Sequence, residues 1–189
     1  INNKEARLIV LQRIELISNF LKKIRKIFGR YLFSNFISKY FLSNKNIGKA
    51  YFEDMHQEFE SIGSFMDFHN KDLLSIGGGL GGLELVINEK FNVKSFTFIE
   101  RNYVSKKVKY GWDNENNEAY NDLSIQRNFL IKNGMTDTKF KIFDYDKDQL
   151  PNRKFDIILS LFSLDYHYDF SIYFEYLKNL QYPDEIFLH

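Results

Sequence analysis

The chain has 189 residues, 44% hydrophobic and 17% aromatic, which is enough to bury a core and too apolar for a disordered segment. It contains no cysteine, so disulfides, thiolate metal sites and a cysteine nucleophile are excluded, and a cytoplasmic enzyme is the expectation. The net charge of +1 hides an asymmetry: residues 1–50 carry eleven Lys/Arg against Glu5 and Glu15, and the remainder is acidic.

From the N-terminus, Ile17, Phe20, Leu21, Ile24, Ile27 and Phe28, then Leu32, Phe33, Phe36, Ile37, Tyr40 and Phe41, repeat with helical spacing. Lys22, Lys23, Arg25 and Lys26 lie beside this stripe. Two readings fit: a solvated face on helices packed against an acidic domain, or an amphipathic helix on an anionic membrane surface. Residues 1–50 are thus expected to form a basic helical extension, and residues 51–189 the main domain. No apolar run reaches the roughly eighteen residues of a spanning helix, and the first residues lack the pattern of a signal peptide. The start at Ile1 in place of Met predicts a processed or partial chain.

A third helix is expected over Tyr51–Met66, where Phe52, Met55, Phe59 and Ile62 share a face. "DLLSI" then reads as a strand ending in glycines, "LELVINEKF" as a helix and "VKSFTFIE" as a second strand. A helix "NDLSIQRNFLIKNG" stopped by Gly134 follows, then strands "KFKIFD" and "KFDIILSLFS". A helix "DFSIYFEYLKNL", capped by Asp169 or Ser171, precedes a last strand "DEIFLH". Strands alternating with helices imply a parallel sheet covered on both faces.

The glycines after the first strand carry the chemistry. Gly77, Gly79 and Gly81 read as G-x-G-x-G, and Gly77, Gly79 and Gly82 as G-x-G-x-x-G; both place a nucleotide against the backbone at a strand's carboxyl end. Glu100 follows Gly81 by nineteen residues and closes the next strand, where a carboxylate can accept both ribose hydroxyls of an adenosine.

Four blocks resemble the class I S-adenosylmethionine-dependent methyltransferases: "LLSIGGGLGG", "FTFIE", "FDYDKDQLPNRKFDIILS" and "LSLFSLDYHY". The resemblance implies an α/β, Rossmann-like, doubly wound parallel sheet of strand order 3-2-1-4-5, without the last two strands of that class. It implies S-adenosyl-L-methionine as cofactor, held by Gly77, Gly78, Gly79 and Gly81 in the turn, Glu100 and Arg101 after the second strand, Asp144 or Asp146 near the adenine, and Ser160. Within the class, "MHQEFESI", "YNDL", "FLIKNG" and "SLDYHYDFSIYFEYL" look most like bacterial small-molecule or sugar O-methyltransferases. The implied acceptor is therefore a small-molecule hydroxyl, with no nucleic-acid partner expected. The chain departs from the family at Ser75, two residues before the first motif glycine, where the family usually has an acid. It also ends in what reads as the fifth strand, an apolar edge that predicts a truncated chain or an unusual homodimer.

For a hydroxyl acceptor the candidate base is His167 in "DYHY", whose type titrates near operating pH, with Asp165 as second choice. A histidine that merely bonds a loop fits the same residue. Tyr103, Tyr110, Trp112 and Tyr120 are candidates for an acceptor lid or for packing within their own loop. "DYDKD" lacks the Gly and terminal Glu of a calcium loop, so no metal site is expected. Two other classes stay open: an NAD(P)-dependent oxidoreductase, and a non-catalytic protein on a decayed methyltransferase fold.

Overall fold

The computed structural model describes residues 1–28, 36, 40, 43–63, 65–105, 119–161, 163, 171–178 and 180–188. The chain opens with α1 (Asn3–Gln12), a helix absent from the expectations above. Its start is fixed by a capping box: the Asn2 side chain accepts from the N–H groups of Lys4 and Glu5, and Glu5 accepts from the Asn2 N–H. A 3-10 turn (Ile14–Leu16) leads to α2 (Asn19–Phe28), and a long α3 (Asn44–Gly63) follows. α3 begins seven residues before the expected helix, so the division anticipated at residue 50 falls inside it.

The α/β part runs β1 (Asp72–Ile76), α4 (Gly82–Lys90), β2 (Ser95–Glu100), α5 (Leu123–Lys132), β3 (Phe140–Asp144), β4 (Phe155–Leu159), α6 (Ser171–Lys178) and β5 (Gln181–Leu188). All neighbours pair in parallel in the order β3-β2-β1-β4-β5, the doubly wound sheet expected. β4 is shorter than "KFDIILSLFS" predicts. Beyond Leu159 the hydroxyls of Ser160 and Ser163 turn back to donate to the Ile76 carbonyl, which ends the strand. β5 starts three residues earlier than "DEIFLH". Its register against β4 shifts between Phe155 and Ile157, opposite a stretch containing Pro183, which has no N–H for the ladder.

Period-two alternation splits the strand side chains between two cores. Leu73, Phe96, Phe98, Phe140 and Ile157 pack with α1, α3, α4 and α5 on one face. Leu74, Ile76, Ile99, Phe155 and Ile158 pack with Tyr173 and Leu177 of α6 on the other. α2 touches the first of these cores through Leu21 and Ile24, while its Phe20 and Ile27 are 70% and 78% exposed. Among the described residues no helix is long and apolar enough to cross a membrane.

α3 approaches the first residue of α4 closely, just after the glycine turn. The Gly82 N–H donates to the Tyr51 hydroxyl at 3.2 Å, and a Cβ on Gly82 would lie 2.4 Å from that oxygen and 2.7 Å from Met55 Cγ. Alanine normally favours a helix over glycine, but here overpacking dominates. Gly82→Ala is expected to lower stability by about 1–3 kcal/mol in urea denaturation; an unchanged midpoint would show that Tyr51 moves aside freely.

Candidate functional site

β1 and β4 are neighbours while their connections leave to opposite sides, so a crevice opens at their carboxyl ends. Gly77, Gly78 and Gly79 of the turn Gly77–Gly81 form its floor, whereas Gly81 faces Leu130 and Phe98. Gly77, Gly79 and Gly81 have φ of 69°, 65° and 80°, a region that disfavours side chains, and the turn is pinned by the Gly77 N–H donating to the Ile99 carbonyl at 3.0 Å. Space is equally restrictive. A Cβ on Gly77 would lie 2.4 Å from Ser163 Oγ, and one on Gly79 2.7 Å from Gln12 Oε1.

The walls come from elements far apart in the chain. Gln12 and Arg13 at the end of α1, Tyr51, Met55 and Glu58 on α3, Glu84 on α4, Glu100 on β2, Tyr120 and Asn121 before α5, and Ser163 after β4 all line the cleft. Gln12 donates to the Tyr120 carbonyl at 2.9 Å, closing the cleft at one side. The Arg13 guanidinium is committed to α3, with Nη2 donating to Glu58 Oε2 at 3.0 Å and Nη1 to Asp54 Oδ2 at 3.2 Å and to Glu58 Oε1.

Glu100 stands where the sequence places it, at the end of β2 against the turn. Only 6% exposed, it accepts from the Gly79 N–H at 2.9 Å. Burial, then the Glu84 carboxyl, hold its carboxyl well above the usual carboxylate range, against the donors of Asn121, Gly79 and Gly78. Glu84 was not singled out by sequence reasoning. It is 2% exposed, accepts from the Ser75 hydroxyl with Oε1, and leaves Oε2 buried without a hydrogen-bond partner. Burial raises its carboxyl too, with Ser75 opposing. Glu84 occupies the third position of α4, and only the fold brings it under Ser75.

Other anticipated residues sit beside the cleft without lining it. Asp144 faces Glu100 in the β2–β3 register, but its carboxylate accepts from the Asp146 N–H at 3.1 Å and pairs with Lys147 at 3.3 Å. Asp146 pairs with Arg101 at 3.5 Å, and Arg101 lies over the Tyr145 ring at 4.9 Å. Ser160 is buried under the turn, bonded to Ser163 and the Ile76 carbonyl. Tyr103 bonds Arg101, whereas Tyr120 reaches the cleft. His167, Asp165, Tyr110 and Trp112 lie outside the described residues, as do Asp169 and His189. His56 lies on α3 against Phe52, and His69 is exposed and bonded to Asp67, both away from the cleft. Among the described residues no cluster of His, Asp and Glu suits a metal ion.

No protein-family model matches the chain, and no curated protein matches it. Among solved structures it is similar to YjhP from E. coli, at 14% identity and a TM-score of 0.48, over 71% of this chain and 47% of that one. It is similar to coclaurine N-methyltransferase bound to N-methylheliamine and SAH, at 14% identity and a TM-score of 0.46, over 78% and 37%. A third likeness is to an S-adenosylmethionine-dependent methyltransferase from Clostridium acetobutylicum, at 20% identity and a TM-score of 0.42, over 89% and 56%. The alignments thus span between about a third and a little over half of those proteins' lengths.

The two raised carboxyls link stability to pH. Their folded pKa values exceed the unfolded value of about 4.3, so the stability tied to them is fully present below that pH and is lost as pH rises through the folded values. Glu58 and Tyr51 of α3 and Arg13, which caps α1, act on Glu84 and are common to both proteins in the comparison. Between pH 5 and 8 the ligand-free wild type is therefore expected to lose more stability in denaturant titrations than Glu84→Gln/Glu100→Gln. Parallel curves for the two proteins would show that both acids are ionised throughout.

Proposed function

We propose that the chain is an S-adenosylmethionine-dependent methyltransferase acting on a hydroxyl of a small-molecule acceptor. The observation that carries the cofactor reading is the set of carboxyls in the cleft. Glu58, Glu84 and Glu100 line it, and its one described cation, Arg13, is already bonded to Glu58 and Asp54. A nicotinamide dinucleotide would bring a pyrophosphate to the start of α4. There it would meet the buried Glu84 carboxyl, which itself faces the positive end of the helix. A sulfonium with an ammonium group instead favours the ionised form of these acids and pairs with it.

The residues present fit that group. Glu100 can accept two ribose hydroxyls once it turns from the Gly79 N–H, the glycine turn keeps side chains off the floor, and Glu84 Oε2 lacks a donor. When bound, the sulfonium supplies an electrophilic methyl group for in-line displacement. The chain's part is to hold the adenosine, orient the acceptor and take its proton. We assign the proton to His167, with Asp165 as second candidate, because both follow Ser163 of the cleft wall closely in sequence. The hydroxyl acceptor rests on the sequence resemblance alone.

Titration calorimetry against S-adenosylhomocysteine and NAD in parallel tests the reading: binding of the first alone is expected, and binding of NAD alone overturns it. Glu100→Gln keeps the shape but loses charge-assisted hydrogen bonds, an expected cost of about 1.5–3 kcal/mol in cofactor affinity. For the base, His167→Ala is expected to lower turnover about a hundredfold to ten-thousandfold with cofactor affinity nearly intact. A parallel loss of affinity would instead make His167 part of the binding site.

A further inference from the structure

We infer that Glu84, with Ser75 fixing its carboxyl, is the residue that holds the ammonium group of the cofactor's amino-acid end; this rests on the cofactor reading above. Glu84 is 2% exposed, lines the cleft and has one carboxylate oxygen bonded to the Ser75 hydroxyl. The other oxygen, Oε2, is buried and has no partner. A buried acceptor left unmade costs free energy, so its persistence at a cleft wall points to a donor that arrives with a ligand.

The chemistry of that donor is narrow. Ser75 already supplies a hydroxyl to Oε1, and Arg13 is tied to Glu58 and Asp54. A sulfonium has no N–H or O–H to give, and the ribose hydroxyls belong with Glu100, at the end of a different strand. An ammonium group offers three donors and a full positive charge, and of the cofactor's groups it is the one that satisfies both needs of Glu84. Gly78 keeps the approach open, since a Cβ there would lie 2.8 Å from Glu84 Oε1 and 2.5 Å from Ser75 Oγ. The cost of burying Glu84 is then recovered when the cation arrives. Ser75 thus sits where the resembled family usually has an acid, and Glu84 delivers a carboxyl to the same spot from one turn into the next helix.

Two ligands separate the ends of the cofactor: S-adenosylhomocysteine, and 5′-methylthioadenosine, which lacks the amino-acid portion. Glu84→Gln is isosteric and is expected to weaken S-adenosylhomocysteine tenfold or more while leaving 5′-methylthioadenosine unchanged, the latter also reporting that the variant is folded. Wild-type chain supplies an independent measurement with 5′-S-(3-carboxypropyl)thioadenosine, which lacks only the ammonium group. Its binding is expected to be at least tenfold weaker than that of S-adenosylhomocysteine. Equal loss for both nucleosides in Glu84→Gln, no loss for either, or no penalty for the missing amine overturns the assignment while the cofactor reading stands. Failure of the wild type to bind any of the three removes the cofactor reading itself and this assignment with it.

Discussion

The site depends on the absence of side chains over a few residues at the end of the central strand. Gln12 from α1, Tyr51 from α3, Phe98 from β2, Leu130 from α5 and Ser163 after β4 all come within van der Waals reach of the Cβ positions that Gly77–Gly82 do not fill. Five separate parts of the chain can converge there only because the turn carries a single side chain, that of Leu80, which is buried in the core. The same bareness leaves the Gly79 N–H free to meet Glu100, so one constraint sets both the packing of the helices and the position of the acid.

Around this turn the protein tolerates an arrangement that a stability optimum would avoid. Two carboxyls are buried near one another, and one oxygen has no donor. Strongly perturbed acids in a cleft are a signature of sites shaped for a ligand, because the desolvation that raises them is relieved when a complementary charge enters. The ion pairs of Arg13 with Glu58 and Asp54 serve a different end: they tie α1 to α3 and keep the cleft's cation out of competition with an incoming one.

Much of this was legible in the sequence. A parallel sheet followed from alternating strand and helix periods and its order from the family resemblance, and the positions of the glycine turn and Glu100 followed from strand, turn, helix and strand in register. α1 announces itself only through the capping box of Asn2 and Glu5, because its apolar residues make a weaker stripe than the one beginning at Ile17. Glu84 was invisible for a deeper reason. In "LELVINEKF" it reads as an ordinary polar residue of an amphipathic helix, and nothing in a 3.6-residue period says that this face closes over Ser75. The acids of "DYDKD" have local partners that no sequence pattern shows: Asp144 accepts from the Asp146 N–H and pairs with Lys147, and Asp146 pairs with Arg101.

The strand order also dictates a sequence of events during synthesis. β1 pairs on one side with β2, which follows within some twenty residues, but on the other with β4, and Leu73 meets Ile157 only after most of the chain has been made. Until then α1, α3, α4 and α5 can bury one face of a three-stranded sheet, while Leu74, Ile76 and Ile99 on the opposite face have neither β4 nor α6 to cover them. A ribosome paused between β3 and α6 therefore holds a half-dressed sheet with an open ladder and an apolar face, the species on which chaperone capture and intermolecular pairing compete.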